Sequence, residues 1–168
     1  QTVYVNADQN GNVEKVIVSN WLKNTDKEST LEDNSELNDI TNVKGEESYT
    51  QGSNGKLVWA ADGNDIYYQG ETSKELPVSV KMTYFLDGRE ISAADLAGKS
   101  GKVKIRIDYT NNSSRNAKIN GKKETIYTPF MMATGMILPT DTFTNVEVTN
   151  GKVISDGNNN IVLGIGFP

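Results

Sequence analysis

Neither cysteine nor histidine occurs anywhere in the 168 residues. The first absence rules out disulfides, thiolate nucleophiles and cysteine-based zinc sites. The second removes the commonest metal ligand and the commonest general base near neutral pH, so Ser-His-Asp, Cys-His and HExxH chemistry are excluded. Proline is scarce, at four residues, and no apolar run reaches the length of a membrane-spanning helix. Basic charge is short as well: 17 Lys and Arg against 22 Asp and Glu leave a net charge of −5, which argues against a general nucleic-acid partner. The opening Gln1-Thr2-Val3-Tyr4 lacks the basic and apolar regions of a signal peptide, and any such leader is expected to have been removed. The apolar close at Ile161–Pro168 suggests a longer natural chain cut at that point.

What is present is turn chemistry. The chain holds 19 Asn, many beside Gly, Thr or Ser. Asn10-Gly11 lies between two strand-like runs, Thr2–Asn6 and Val13–Ser19. A two-residue type I′ turn there pairs residues whose numbers sum to 21, which sets Val5 opposite Val16, Tyr4 opposite Ile17 and Val3 opposite Val18. Every apolar residue meets an apolar partner, so this hairpin is expected in that register. Asn150-Gly151 repeats the pattern and would place Val148 opposite Val153. Asp87-Gly88 and Asn54-Gly55 are weaker signals, and Asn120-Gly121 would oppose Lys118 to Lys123, so its flanks are expected to be loop.

Period-2 alternation marks two further strands. Val103, Ile105, Ile107 and Tyr109 share one face of 102–110, expected to be the core face, while Lys104, Arg106 and Asp108 share the other. Val78, Val80, Met82, Tyr84 and Leu86 likewise share a face of 78–86. More strands are expected at 57–60, 65–69, 125–138 (broken at Gly135), 144–149, 152–156 and 161–167. Ser92-Ala-Ala-Asp95-Leu-Ala-Gly98 has an N-cap, an acid at N3 and a closing Gly, which predicts a helix of one or two turns, and Ser35–Ile40 suggests another short turn. Residues 19–50 read as a long polar connector, with Trp21, Leu31, Leu37 and Ile40 as scattered anchors.

These elements predict a mainly β protein: a small N-terminal β unit with a long acidic connector over 1–75, then an antiparallel, immunoglobulin-like β-sandwich over 76–168, with one or two very short helices. Pro77 marks the boundary, and one continuous domain is the alternative. The length suffices for a core without staples, since a chain of this size buries about 68–70% of its unfolded surface.

The run Leu76-Pro-Val-Ser-Val-Lys-Met-Thr-Tyr-Phe-Leu-Asp-Gly-Arg-Glu-Ile91, with Leu96-Ala-Gly-Lys-Ser-Gly-Lys-Val-Lys-Ile-Arg-Ile-Asp-Tyr-Thr-Asn-Asn112 and Phe143–Gly157, resembles the N-terminal extracytoplasmic region of large uncharacterised membrane proteins of gut Firmicutes. That resemblance implies location more than mechanism. Gly101–Asn112 is also similar to the strand-then-Thr-Asn pattern of bacterial immunoglobulin-like modules. The Asn-rich, Cys-free composition is one we associate with surface proteins of Gram-positive bacteria, and the expected location is extracellular.

Several constellations invite a chemical reading. Asn6–Asn12 resembles half of an EF-hand loop, but its twelfth position is Ile17 where a bidentate acid is needed, and a hairpin explains the same residues. Asp62-Gly-Asn64-Asp65 and Asp156–Asn160 are oxygen-rich, yet Asp and Asn are standard turn residues. No metal and no cofactor are therefore expected. Trp59-Ala-Ala-Asp62-Gly-Asn64-Asp65-Ile-Tyr67-Tyr68-Gln69 mixes aromatic rings with short carboxylates and amides, as sugar sites do. The plainer account puts Trp59 and one tyrosine in the core, with the other tyrosine on an outer face. Charge is uneven: 26–47 holds eight acids and two bases, 99–123 eight bases and one acid. The basic set, with Arg115, Lys118, Lys122 and Lys123, could meet an anionic polymer or the acidic segment, or be solvated. The functional expectation is a non-catalytic structural or recognition module of a bacterial cell-surface or membrane-anchored protein. The alternative is a glycan-binding module using Trp59, Asp62, Asn64, Asp65, Tyr67 and Tyr68, and the third reading a carboxylate-dependent glycosidase. A cell-wall or host glycan or another surface protein would be the partner, with any membrane contact made by parts of the chain outside these residues.

Overall fold

A computed structural model describes residues 1–168 as a mainly β protein in two compact units, Gln1–Glu75 and Leu76–Pro168. The first unit contains β1 (Thr2–Ala7), β2 (Val13–Leu22), β3 (Thr30–Asn34), β4 (Asn38–Asn42), β5 (Tyr49–Gln51), β6 (Lys56–Ala60) and β7 (Ile66–Glu71). They form two antiparallel sheets, ordered β1-β2-β7-β4 and β3-β6-β5. The core draws on both: Leu57, Trp59 and Ala61 from or beside β6 meet Ile66 and Tyr68 of β7, and Leu22, Leu31, Leu37, Ile40 and Tyr49 pack around them.

The first hairpin keeps the expected register, with Val5 opposite Val16, Tyr4 opposite Ile17 and Val3 opposite Val18. Its turn differs. A bulge between Asn6 and Ala7 shifts the last pair to Ala7–Val13, and Gly11 alone of the Asn10-Gly11 pair has positive φ, so the turn is not type I′. Asp8 organises the longer loop by accepting the N–H groups of Asn10 (2.8 Å) and Asn12 (2.9 Å) and the Asn12 amide (2.8 Å).

The expected connector over 19–50 is the largest correction. Strand β2 runs on to Leu22, the acidic segment supplies β3 and β4 and leads into β5, and there is no helical turn at Ser35–Ile40. Strands β3, β4 and β5 carry one apolar residue apiece, Leu31, Ile40 and Tyr49, too few for alternation to show. Strand β3 buries by single side chains: Leu31 lies opposite Trp59, and Asp33 opposite Leu57. Strand β4 can approach β7 because Gly70 has no side chain; a Cβ there would meet Leu37 Cβ at 2.7 Å and Asn38 O at 2.9 Å.

The second unit contains β8 (Val78–Leu86), β9 (Arg89–Ile91), α1 (Ala93–Leu96), β10 (Val103–Asn111), β11 (Ser114–Ile119), β12 (Lys122–Tyr127), β13 (Met132–Pro139), β14 (Gly151–Ser155) and β15 (Asn159–Gly166). Three sheets result, β10-β8-β9, β11-β12 and β13-β15-β14, all antiparallel. Helix α1 is capped as expected, Ser92 Oγ accepting the Asp95 N–H at 3.1 Å. Asp87-Gly88 and Asn120-Gly121 both have positive φ at each residue, as type I′ turns require. The second of these closes a true hairpin with Lys118 opposite Lys123, against the expected loop. Residues 144–149 are not a strand, and Val153 pairs with Val162 rather than Val148. The 125–138 run breaks over Thr128–Met131, beside Pro129, and not at Gly135.

Strand β10 separates its faces as the alternation predicts. Ile105, Ile107 and Tyr109 are half-buried, while Lys104 and Arg106 are exposed, Lys104 lying 4.1 Å from the Phe85 ring centre. Val103, expected on the core face, is 36% exposed. Tyr109 shares a hydrogen bond with Thr134, and Gly166 lies against its ring. An open cleft of about 400 Å³ runs between Val80, Met82, Ile107, Tyr109 and the Met132–Met136 stretch of β13. No helix in the protein is long and apolar enough to cross a membrane.

Candidate functional site

The six residues singled out from the sequence do not form one site. Strand β7 alternates, so Tyr67 and Tyr68 point to opposite faces of their sheet. Tyr68 turns inward and is fully buried, as is Trp59 on β6. Trp59 lies between Tyr49, whose ring is tilted by 42° with centres 4.7 Å apart, and Tyr68, stacked at 5.3 Å, and its indole N–H finds no acceptor. The Tyr68 hydroxyl donates to Asp33 Oδ2 at 2.6 Å. Burial, then the hydrogen bond to and charge of Asp33, push its pKa up to about 12. These two aromatics are core, and no ligand can reach them.

The outward residues gather around an aromatic that the sequence reading left as an anchor. Trp21, near the end of β2, is 54% exposed and directly opposite Tyr67. Their rings stack almost parallel, at 8° with centres 5.6 Å apart, and Lys44 Nζ lies 4.3 Å from the Tyr67 ring centre. Asp65 fixes the indole: its Oδ2 accepts Trp21 Nε1–H at 2.9 Å, while its Oδ1 accepts the Asn24 N–H at 2.7 Å. Those two hydrogen bonds hold the Asp65 carboxyl below its usual range, the backbone one contributing most. The result is a shelf, an exposed, fixed Trp21 ring stacked on half-buried Tyr67, with the Asp65 carboxylate on the indole N–H and the Lys44 ammonium over the Tyr67 ring.

The turn residues support this shelf from behind. Asn24 is buried; its Nδ2 donates to the carbonyls of Glu28 (2.9 Å) and Asn64 (3.2 Å), and its Oδ1 accepts the Glu28 N–H (2.8 Å). One side chain thus ties the 24–28 loop to the 62–65 turn. Asn64 is exposed, its amide donating to Glu47 Oε1 at 3.2 Å. Asp62 is exposed with positive φ at the Asp62-Gly63 turn. Extending the parity of the first hairpin would have found Trp21, since the outward set Ile17 and Ser19 continues to residue 21. Asn24 carries no comparable signal, because its partners are backbone groups brought together only by folding.

The other oxygen-rich segments are turns closed on themselves. Asp156 Oδ1 accepts the N–H groups of Asn158 (3.0 Å) and Asn159 (2.7 Å), which lowers its pKa, as the hydrogen bonds from Asn12 and Asn10 lower that of Asp8. Comparison of the chain with models of known protein families, with curated proteins and with solved structures finds no match.

Proposed function

We propose that this chain is a non-catalytic structural or recognition module of an extracellular bacterial protein held at the cell surface or by a membrane anchor. The lack of both His and Cys supports this most, because either would be the ordinary acid–base or nucleophilic group near neutral pH. Asp8, Glu36, Glu47, Asp65 and Asp156 are all held below the usual carboxylate range, and Tyr68 is pushed up to about 12. None of these six groups is brought toward neutrality, as a general acid or base would be. The extracellular location draws on the composition and on the resemblance carried by residues 76–112. An immunoglobulin-like arrangement of 76–168 belongs to the same proposal, supported by the regular β8–β10 ladder from Val103–Leu86 to Asn111–Val78. A panel of chromogenic glycosides tests the non-catalytic part. No turnover is expected, and turnover abolished by changing one Asp or Glu would restore the glycosidase reading.

The Trp21–Tyr67 shelf favours a second reading, glycan binding. A flat, exposed indole offers a face for sugar C–H groups, and Asp65 and Lys44 offer polar groups at the rim. A glycan array is the test. Binding lost in Trp21→Ala with the fold retained supports this reading; binding indifferent to Trp21 eliminates it.

A further inference from the structure

We propose that β1 is a free pairing edge through which two copies of this chain join, antiparallel, about a twofold axis at Tyr4. Strand β1 is the outer strand of the sheet β1-β2-β7-β4, and all six of its residues are exposed. Val3, Tyr4 and Val5 keep 47%, 53% and 40% of their surface although β2 covers one side. The direction of the free backbone groups follows from β2. The Val16 carbonyl accepts the Thr72 N–H, on the β7 side of the strand. Val16 therefore turns its main-chain groups away from β1, and Val5, its partner, occupies a non-hydrogen-bonded position. Val3, opposite Val18, has the same orientation by two-residue alternation. Both valines thus aim N–H and C=O out of the sheet edge.

Nothing guards that edge. Exposed edges are normally protected by charge, proline, bulges or shortness. Most of the others here are: β4 carries Asp39 and an interrupted register, β3 carries Glu32, β10 Arg106 and β14 Lys152, while β13 is uncharged but interrupted by Gly135 and closed by Pro139. Strands β5 and β9 are three residues each, and β11 and β12 bear lysines. Strand β1 has no charge, Pro or Gly, and its bulge begins only at Asn6.

The residue order selects a second copy as the occupant. Thr2-Val3-Tyr4-Val5-Asn6 reads the same in both directions by residue class. Antiparallel pairing centred on Tyr4 sets Val3 against Val5 of the second copy, Tyr4 against Tyr4 and Thr2 against Asn6. The two Val3–Val5 pairs supply four backbone hydrogen bonds, and no like charges meet.

Light scattering or sedimentation of the 1–168 chain tests this. The expected mass is twice that of one chain. Tyr4→Lys opposes two ammonium groups at the axis and returns the monomer, as Tyr4→Glu does with two carboxylates. Mixing the two variants restores a dimer, because Lys then faces Glu. Unchanged far-UV circular dichroism checks that each variant is folded. A chain that stays monomeric up to about 1 mM, where association would be worth only about 4 kcal/mol, would overturn the proposal. So would a dimer indifferent to Tyr4→Lys, or variants that fail to pair on mixing.

Discussion

The two tryptophans carry opposite roles, and the difference is measurable one residue at a time. Trp59 is fully buried between two tyrosine rings, so Trp59→Ala leaves a cavity and should cost about 3–5 kcal/mol in denaturant unfolding. Trp21 is half in solvent, and Trp21→Ala forfeits a stacked pair worth about 1 kcal/mol. Equal losses for the two variants would contradict the inward and outward assignment. Tyr68 predicts behaviour at high pH. Its folded pKa lies above the ordinary phenol value of 10.0, so the stability it contributes is complete below pH 10 and is lost as pH rises through about 12. In a titration of tyrosinate absorbance one tyrosine should ionise only near pH 12, and Tyr68→Phe should delete that step. The carboxylates act in the reverse sense. Asp65 and Asp156 are lowered, so their contribution is present above the usual carboxylate range and is lost as pH falls through their depressed values.

Among the elements, β4 and the 62–65 turn depend on single contacts rather than on pattern. Gly70→Ala would drive a methyl into Leu37 and the Asn38 carbonyl, peel β4 from β7 and cost about 1–3 kcal/mol by overpacking. A variant as stable as the parent, by chemical denaturation, would show that β4 does not need that close approach. In β10, Ile105 is half-buried while Lys104 is exposed, so Ile105→Ala should lower the denaturation midpoint and Lys104→Ala should leave it nearly unchanged. The pairing of 2–6 with 13–19, the strands at 78–86 and 102–110 and α1 were legible from the residues alone, because each has a local signature: apolar partners in register, strict alternation, a capping serine; that β8 and β10 pair with each other was not. Strands β3, β4 and β5 were not, because each buries one or two side chains among polar neighbours and exists only where β6 or β7 supplies the other half of the ladder.

Across the whole molecule, burial is unequal. All seven buried apolar residues lie between Val16 and Tyr68, in the first unit. The total accessible surface is 12155 Å². Two compact units of these lengths would expose about 9,900 Å² even if wholly separate. The surplus fits the open cleft beside β13 and the exposed apolar residues of the second unit, among them Ile137 (67%), Ile165 (55%) and Leu163 (44%). The second unit should therefore be the less stable. Amide exchange is expected to protect β2, β6 and β7 most, and residues 76–168 should lose protection first on heating. One cooperative transition with uniform protection would refute this.

What the amino-acid sequence determined by itself was everything governed by near neighbours and by missing chemistry. Without His or Cys whole classes of catalysis and metal binding are closed, and turns and alternation dictate a mainly β chain with a hairpin at its start. Tertiary structure decided which aromatic faces outward. Tyr67 and Tyr68 are adjacent and chemically alike, and only the placement of the β3-β6-β5 sheet makes one of them core and the other surface. It also brought Trp21, Asp65 and Asn24 together across more than 40 positions of chain. Period and propensity act over a few residues, whereas a shelf assembled from β2, β7 and two loops depends on contacts that no local pattern encodes.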